Sequence, residues 1–324
     1  MAKLVDQYKR QIDYLRISVT DRCNLRCQYC MPAEGVDFIE QEKILSYEDI
    51  VEIAKTAVEL GISKIRLTGG EPLVRKGLVG LISKLNKIPG IEDLSLTTNG
   101  ILLVEQGAEL KEAGLDRVNI SLDTFQEDKF AEITGCDKLV DVLAGIETAL
   151  DLGLRPVKIN MVVMKGVNEQ EIFDFIKLTC YYPLHVRFIE FMPTDTKKID
   201  QENHYLSIDN LKQKIKSRED LLATQFKVGN GPAYYYQVRD SLGSIGFISP
   251  ISNHFCASCN RLRLTSTGKL RPCLSTSKEV DLQQILSEDK EKLEEGFKDA
   301  IRQKPKQHSL IQESLGQNMS QIGG

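Results

Sequence analysis

One pattern of apolar and polar positions recurs along the chain. An amphipathic stretch ends at a glycine, an Ile or Leu follows, and a short apolar run comes a few residues later. A glycine just past a helix, followed by an apolar residue that packs back on the last turn, is a common helix end. Each repeat therefore predicts a helix that leads into a strand. The glycines and their apolar runs are Gly61 with 65–68, Gly90 with 94–98, Gly114 with 118–122, and Gly153 with 157–163.

The predicted helices carry further signals of their own. Ser46 and Asp49 have the spacing of a capping box, and the apolar residues from Ile50 to Val58 then keep one face. The remaining predictions are helices at 78–85, 104–113, 140–152 and 169–178, and strands at 15–19 and 185–189. Six strands thus alternate with helices.

This alternation determines the predicted fold class, which is α/β. Strands that alternate strictly with helices form a parallel sheet with right-handed helical crossovers. The strands are short apolar runs, as expected when both faces of a sheet are buried. A partial or complete α/β barrel of the TIM type is favoured, and a doubly wound sheet is the alternative.

Polar segments follow four consecutive predicted strands. In both candidate architectures, ligands bind at the carboxyl ends of the parallel strands. These segments are therefore predicted to form one binding rim. They span residues 20–30, 68–72, 97–100 and 121–123.

The alternation stops after Pro193. A polar stretch at 194–203 leads to a predicted helix at 208–215 and then to the turn sequence of 229–232. Segments 234–238 and 244–248 are strand-like and are separated by turn residues, which is typical of antiparallel strands. We therefore predict two domains, a barrel at 1–193 and a smaller domain at 194–324.

Composition and charge exclude several classes of protein. Of 324 residues, 41% are hydrophobic and 27% are charged, which excludes a disordered or fibrous chain. The net charge of -4 leaves no general basic surface for nucleic acid, so a polyanion must be held by a local group of cations. There is no apolar run of membrane-spanning length, and residues 1–10 are too charged for a signal peptide, so we expect no membrane association and a cytoplasmic protein.

The chain has eight cysteines, and a reducing compartment disfavours a disulfide framework. Six of the cysteines form two tight groups, which favours metal or redox chemistry. Cys23, Cys27 and Cys30 follow the first strand and have no fourth ligand nearby. A structural zinc site needs four ligands, whereas an iron-sulfur cube held by three cysteines keeps one iron open. Unmetallated thiols or an incomplete zinc site are the alternatives.

The second group consists of Cys256, Cys259 and Cys273. A zinc site completed by His254 or Cys136 is an open alternative for these three thiols. However, Arg261 and Arg263 follow the second cysteine directly, and guanidinium groups beside a metal favour an anionic substrate.

The first group resembles the signature of the radical S-adenosylmethionine (SAM) family, and Gly69-Gly70-Glu71-Pro72 matches that family's second motif. This resemblance implies that the free iron chelates the amino and carboxylate groups of SAM. It further implies that an electron cleaves SAM to a 5'-deoxyadenosyl radical, and that the backbone at Gly70 meets the SAM amino group. Glycine allows such a close approach of the backbone.

Nearly the whole chain resembles the branch of that family that cyclises GTP in molybdenum cofactor biosynthesis. The resemblance implies a lyase that converts GTP to (8S)-3',8-cyclo-7,8-dihydroguanosine 5'-triphosphate. It also implies two [4Fe-4S] clusters, SAM, an external electron donor, and a downstream cyclic pyranopterin monophosphate synthase, and it is compatible with a homodimer. The matching segments are 15–21, 30–32, 64–72, 97–100, 119–123, 187–192, 255–263 and the terminal Gly323-Gly324.

The resemblance also assigns site residues. The first cysteine group would hold the cluster that binds SAM, and the second would hold a cluster that binds the guanine edge. A double-glycine tail, Gly323 and Gly324, would reach into the pocket, although a frayed terminus is the ordinary expectation. The SAM positions are Tyr29, Gly70, Ser121 and Met192. The GTP positions are Arg16, Arg66, Thr97, Lys158, Arg261, Leu262 and Arg263.

Several of these residues also have plainer interpretations. Arg16, Arg66 and Lys158 lie on predicted buried strands, where a charge needs a cavity or an ion pair with a residue such as Asp123 or Glu190. Met192 by itself would fill a core and Tyr29 would be a surface aromatic. Thr97 would be an ordinary hydroxyl at the end of a strand. Cys136 and Cys180 match no motif and are expected to be buried thiols.

Two competing functions remain open at this point. One is a radical SAM maturase that acts on a peptide and carries an auxiliary cluster, which nucleotide binding would distinguish. The other is a zinc-stabilised binding module without catalysis, which metal analysis would distinguish. The four histidines (185, 204, 254 and 308) form no recognisable catalytic or metal-binding constellation.

Overall fold

The computed structural model describes residues 3–31, 36–192, 201–224, 228–308 and 319–322. Within these ranges, twelve strands form one sheet in the order β12-β11-β10-β1-β2-β3-β4-β5-β6-β9-β8-β7. The strands are β1 (Tyr14–Ser18), β2 (Lys64–Thr68), β3 (Asp93–Thr98), β4 (Arg117–Ser121), β5 (Lys158–Val163), β6 (His185–Glu190), β7 (Leu221–Ala223), β8 (Tyr234–Val238), β9 (Ser244–Ile248), β10 (Arg261–Leu264), β11 (Lys269–Arg271) and β12 (Val280–Asp281).

The six predicted strands form the parallel centre of the sheet, from β1 to β6. Each observed strand begins and ends within a residue or so of its prediction. Leu15, Ile17, Ile65 and Leu67 are in register on adjacent strands and are fully buried on one face of this sheet. The α/β class and the parallel sheet are therefore confirmed.

Helices pack on the outside of this sheet. The predicted capping box is present in α1, where the Ser46 side chain accepts from Asp49 N and the Asp49 side chain accepts from Ser46 N. The described helices are α1 (Tyr47–Glu59), α2 (Leu78–Asn86), α3 (Leu103–Glu112), α4 (Glu127–Thr134), α5 (Leu139–Asp151), α6 (Ile172–Tyr181), α7 (Gln201–His204), α8 (Ile208–Lys216), α9 (Leu282–Glu288), α10 (Leu293–Arg302) and α11 (Met319–Ile322). Of the described helices, none is long and apolar enough to cross a lipid bilayer.

The region after residue 193 extends the same sheet at both edges. β9 lies parallel beside β6, and β10 lies parallel beside β1. β8 pairs antiparallel with β9, as predicted, and β11 pairs antiparallel with β10. The predicted smaller domain thus contributes strands to the barrel sheet, and the division at residues 193 and 194 stays a prediction.

The sheet curls around a central cavity. Residues from eight neighbouring strands, β10 through β1–β6 to β9, line the same cavity. The sheet order nevertheless has two free ends, β12 and β7, so the described strands form an open barrel. This curvature brings the rim segments and the C-terminal region to one place.

Candidate active site

Both cysteine groups line one cavity of about 370 Å³. We call Cys23, Cys27 and Cys30 the first triad, and Cys256, Cys259 and Cys273 the second triad. All six cysteines are free thiols. The cavity therefore joins the rim of the sheet to the C-terminal region.

The first triad lies in the loop that follows β1. This loop docks on the end of α4, since Arg26 N donates to Thr134 O at 2.7 Å and Gln28 N donates to Ile133 O at 2.9 Å. The Arg26 guanidinium donates to Cys23 O at 2.6 Å and to Leu25 O at 2.8 Å. These contacts fix the curvature of the loop that presents the three thiols.

The buried position of the first triad favours the protonated form of its thiols. Burial raises the pKa of Cys23 to about 11 and that of Cys30 to about 12. Burial also raises the pKa of Cys27, with further contributions from Cys30 and Asp123. Thiols bind metal as thiolates, so loading this triad must release protons.

The predicted glycine motif lies against the loop of the first triad. Gly70 N donates to Thr20 O at 2.7 Å, and Glu71 N donates to Arg22 O at 2.8 Å. A Cβ atom on Gly70 would lie 2.4 Å from Arg22 O, which no side chain could tolerate. Only glycine fits here, and the reason is the close approach of two backbones.

Glu71 has a role that the sequence did not indicate. Its carboxylate accepts hydrogen bonds from Leu73 N at 3.0 Å, Thr98 Oγ1 at 2.8 Å and Asn99 N at 2.6 Å. Burial raises its pKa to about 7. Glu71 thereby ties the ends of β2 and β3 together at the rim.

The four positions assigned to SAM all line the cavity at this rim. The Tyr29 hydroxyl donates to Asp123 Oδ2 at 2.6 Å, and Val162 N donates to Asp123 Oδ1 at 2.8 Å. Burial raises the pKa of Asp123 to about 6. Tyr29 is therefore held by a buried carboxylate and is not a free surface aromatic.

Arginine side chains form the opposite part of the cavity. In the sheet register, Arg16 of β1 lies directly between Arg66 of β2 and Arg263 of β10. These three line the cavity together with Arg187 and Arg261, and we call the five residues the cationic floor. Among the residues that the structure describes, no ion pair joins Arg16 or Arg66 to a carboxylate, so the expected ion-pair alternative is not observed.

Several polar atoms on or beside the floor are buried and unpartnered in the structure. They are Arg16 Nε, Arg66 Nη2, Thr97 Oγ1 and Lys158 Nζ. Burial, together with the charge of Arg263, lowers the pKa of Arg16, and burial lowers that of Arg66 to about 10. Neighbouring cations that are buried without carboxylates are costly, and an anion would offset that cost.

Two of the predicted GTP positions do not line the cavity. Leu262 is buried in β10, and the Lys158 side chain is fully buried behind the floor. Lys158 Nζ lies under the backbone of Gly229, where an added Cβ atom would be only 2.3 Å away. Burial, with the charges of Arg187 and Arg117, lowers the pKa of Lys158 to about 5.

The sequence analysis did not single out Arg187 and Arg117. Arg187 donates to Asn160 Oδ1 at 2.7 Å and to Asn119 Oδ1 at 2.8 Å, so only neutral groups hold it. Arg117 is different, because both oxygens of Asp93 accept from it at 2.7 and 2.5 Å. Arg187 lies on a predicted strand, as Arg66 does, and that position was the signal available for it; Arg117 precedes the strand predicted at 118–122, so the same signal did not include it.

The second triad has basic surroundings. Burial opposes ionisation of the Cys259 thiol, but the charges of Arg261 and Lys304 and hydrogen bonds from Arg261 lower its pKa to about 6. Cys256 is buried, and Cys273 lies just after β11. Burial raises the pKa of Cys256, so Cys259 is the thiol that these basic neighbours bring closer to the thiolate form.

The zinc alternative is not assembled in the described part of the chain. There, no three His, Cys, Asp or Glu side chains converge as they would on one metal ion, whose thiolates lie about 2.3 Å away from it. Neither His254 nor Cys136 lines the cavity, and the His254 ring packs on His308 with centroids 5.3 Å apart. A cube of four irons holds its thiolates farther apart than a single ion does.

The two cysteines outside the triads, Cys136 and Cys180, are partly exposed, so the expectation of buried thiols is wrong. Cys136 comes two residues after α4, and Cys180 lies in the last turn of α6. Gly323 and Gly324 lie outside the described residues. The helix before them, α11, reaches the cavity, where Met319 is part of the lining and Ser320 N donates to the Cys30 thiol.

Comparison with known proteins defines the family. Residues 17–179 match the Radical SAM superfamily, and residues 184–310 match Molybdenum Cofactor Synthesis C. The chain is 46% identical to "GTP 3',8-cyclase" of Heliobacterium modesticaldum, over 99% of this chain and 100% of that protein. It is 48% identical to "GTP 3',8-cyclase" of Desulforamulus reducens, over 99% and 100% of the two chains.

The fold resembles that of a solved radical SAM structure. Streptococcus suis SuiB bound to S-adenosylmethionine matches with a TM-score of 0.62 and 16% identity, over 92% of this chain and 69% of that one. SuiB bound to precursor peptide SuiA gives a TM-score of 0.63 at 15% identity, over 94% and 74%. At such identities the likeness shows the fold alone. By its sequence matches, the chain belongs to the GTP 3',8-cyclase family of the radical SAM superfamily.

Proposed function

We propose that this chain carries out the reaction of its family, the conversion of GTP to (8S)-3',8-cyclo-7,8-dihydroguanosine 5'-triphosphate in molybdenum cofactor biosynthesis. In this proposal SAM binds at the rim beside the first triad, and GTP binds across the cationic floor to the second triad. One observation supports it above the others: a single cavity contains both triads and, between them, buried cations with unpartnered N–H groups.

The residues present fit the groups that this reaction needs. Each triad offers three thiols to the cavity, and no cysteine beyond these six lines it among the described residues, which suits two [4Fe-4S] clusters with one open iron each. When bound, the first cluster supplies the electron that cleaves SAM, and the second offers an open iron to the substrate. The fit of the second triad to a cluster is a proposal that rests on these thiols and their neighbouring arginines.

At the rim, the chain would orient SAM through fixed polar groups. Gly70 N–H is already bonded to Thr20 O, so Gly70 can meet the SAM amino group only through its carbonyl, an acceptor. Tyr29, Ser121 and Met192 line the same part of the cavity. The buried carboxylate of Asp123 holds the Tyr29 ring, which reduces the reorganisation needed on binding.

On the floor, the chain would bind the triphosphate. Arg16, Arg66 and Arg263 lie side by side on adjacent strands, and their N–H groups can make charge-assisted hydrogen bonds to phosphate oxygens. Arg261 lies between this row and the second triad and is placed to share the substrate. Thr97 contributes an unpartnered hydroxyl from β3.

Apolar side chains also line the cavity. They include Val162, Ile189, Phe191 and Ile248. A carbon radical abstracts hydrogen from whatever is nearest, so a dry cavity and a fixed sugar limit side reactions. By this proposal, the contribution of the protein is binding and orientation, and the cofactors supply the reactive chemistry.

Metal analysis combined with product analysis tests the proposal. Full-length protein prepared without oxygen should hold about eight irons with matching sulfide and no zinc, because each cube has four irons. Given GTP, SAM and a reductant, it should form one 5'-deoxyadenosine per cyclised nucleotide. About four irons with one zinc, or SAM cleavage without change in GTP, would contradict it. An external electron donor and a downstream cyclic pyranopterin monophosphate synthase are the partners that the proposal requires.

A further inference from the structure

A buried lysine that no motif indicated connects the segments that carry the second triad. Lys304 follows α10 and is 2% exposed. Its ammonium donates to Arg261 O at 2.7 Å and to Pro272 O at 2.6 Å. Arg261 comes two residues after Cys259, and Pro272 comes immediately before Cys273. One side chain therefore fixes the spacing of two cysteine-bearing segments that are remote in sequence.

Arg10 connects the remaining cysteine to the same region. Its guanidinium donates to Cys256 O at 2.8 Å, to Pro305 O at 2.7 Å and to Lys306 O at 3.2 Å. Asp6 holds the guanidinium through an ion pair of 2.5 Å. Segment 304–306 is thus bonded, through Lys304 and Arg10, to all three segments of the second triad.

Lys304 is also positively charged, and a role limited to holding the two segments together by hydrogen bonds does not explain that charge. Burying an ammonium is costly, and two carbonyl oxygens that carry no net charge offset only part of that cost. Cys259 and Cys273 are close enough to interact electrostatically with it. Among the described ion pairs, no carboxylate contacts Lys304, so the cysteines of a loaded second triad would be its negative neighbours.

We propose that Lys304 is a positioning residue of the second triad, which holds the triad segments in register and compensates the negative charge of a cluster bound there. This inference rests on the proposed second cluster. Outer-shell groups of this kind set both the retention of a metal and its potential. Arg10 contributes to the positioning but is neutralised by Asp6, so the charge effect is assigned to Lys304.

The test isolates the second triad. A full-length parent chain with Cys23→Ala, Cys27→Ala and Cys30→Ala is loaded with iron and sulfide without oxygen, and should hold about four irons. Lys304→Met and Lys304→Gln are introduced into this parent. The matched control is Lys298→Met, which removes an exposed lysine of α10 whose partner is Glu294. Iron loss to a chelator and the midpoint potential are measured for each chain.

We expect Lys304→Met to lose iron about tenfold faster than the parent, the lower end of the effect of outer-shell partners. Lys304→Gln can still donate a hydrogen bond to a carbonyl and should retain iron better than Lys304→Met. In both variants the potential should become more negative, because the reduced cluster loses a neighbouring positive charge. Lys298→Met should match the parent in both measurements.

The outcomes separate the two proposals. If the parent holds no cluster, the proposed second cluster is wrong. If the parent holds one, but both Lys304 variants keep its potential and its rate of iron loss, only the inference about Lys304 is wrong. If neither neutral variant folds, Lys304→Arg is measured instead. Iron retention like that of the parent supports the role of the charge, and a failure like that of the neutral variants overturns it.

Discussion

The two triads have the same ligands and opposite electrostatic surroundings. Around the first triad, Glu71 and Asp123 are buried carboxylates, and the pKa values of all three thiols are raised. Around the second, the charges of Arg261 and Lys304 lower the pKa of Cys259 to about 6, although burial raises that of Cys256. The cavity therefore has an acidic rim and a basic floor.

This difference agrees with the ligand proposed for each end of the cavity. SAM carries a positive sulfonium and an amino group, whose interaction with carboxylates and carbonyl oxygens is favourable. A nucleoside triphosphate is strongly negative and suits the row of Arg16, Arg66 and Arg263. If SAM bound at the floor and the triphosphate at the rim, each would face charges of its own sign. The charge distribution of the cavity therefore disfavours that exchanged arrangement.

Removing one cysteine from each triad should give the largest effects, and the two effects should differ in kind. Cys27→Ser should abolish formation of 5'-deoxyadenosine. Cys259→Ser should still cleave SAM but form no cyclised nucleotide. Each variant should retain about four irons. Chromatography of both products after anaerobic incubation measures these losses.

Cys180→Ser is the matched control for these cysteine variants. Its thiol lies near the end of α6 and does not line the cavity, so both activities should survive. Formation of 5'-deoxyadenosine by Cys27→Ser would show that the first triad does not bind the SAM-cleaving cluster. A fully active Cys259→Ser chain would remove the functional distinction between the triads.

A smaller effect should follow the loss of one cation from the floor. Arg263→Ala should weaken GTP binding by about 10- to 100-fold, because a hydrogen bond to a charged group contributes about 1.5–3 kcal/mol. SAM binding at the rim should be unchanged. Equilibrium binding of each ligand to the same protein preparation checks both statements.

The control for Arg263 is Arg239→Ala, which removes an exposed arginine paired with Asp220. It should bind both ligands like the unchanged chain. If Arg263→Ala weakened SAM and GTP equally, the damage would be general, and the division of the cavity into rim and floor would be wrong.

The parallel half of the fold was predictable because its signals are local. The glycines at helix ends and the capping box at Ser46 and Asp49 each involve only a few neighbouring residues. These signals located the ends of the six parallel strands to within a residue or so. The helix α4 was missed because only Phe130, Ile133 and Thr134 are buried in it. Its short apolar face gives no clear helical period.

The sheet edges were not predictable in the same way. β10 joins β1 although some 247 residues separate Asp13 from Asn260, which hydrogen bond to each other beside the strands. Such pairing depends on the curvature of the barrel, and the sequence of either strand alone does not indicate it. No local pattern therefore indicated that strands after residue 193 join both edges of the sheet.

The residues of the candidate site were also predictable only where their signals are local. Cysteine spacing and the glycine motif indicated the residues that line the cavity, because such motifs are local. Charged residues with tertiary roles were missed, among them Glu71, Arg187 and Lys304. A lysine in a loop after a helix is usually exposed, and only packing shows that this one is buried.

The smallest predicted effect concerns Lys158, which lies behind the floor. Burial and neighbouring arginines lower its pKa to about 5, so in the free chain at pH 7 it is neutral. A bound triphosphate favours the protonated form and must raise that pKa, so binding takes up a proton. GTP affinity should therefore rise as the pH falls from about 8 to 6, by at most about tenfold per pH unit for one proton, and should level off below about pH 5.

Calorimetry of GTP binding in buffers of different ionisation enthalpy measures this proton uptake. Lys158→Met removes the titrating group and keeps an apolar stem of similar length, so uptake should fall to whatever the nucleotide itself contributes. The same nucleotide is used throughout, so subtracting the two data sets removes the titration of its terminal phosphate. Equal proton uptake by both chains would mean that Lys158 does not sense the triphosphate, and the floor would then end at the arginines that line the cavity.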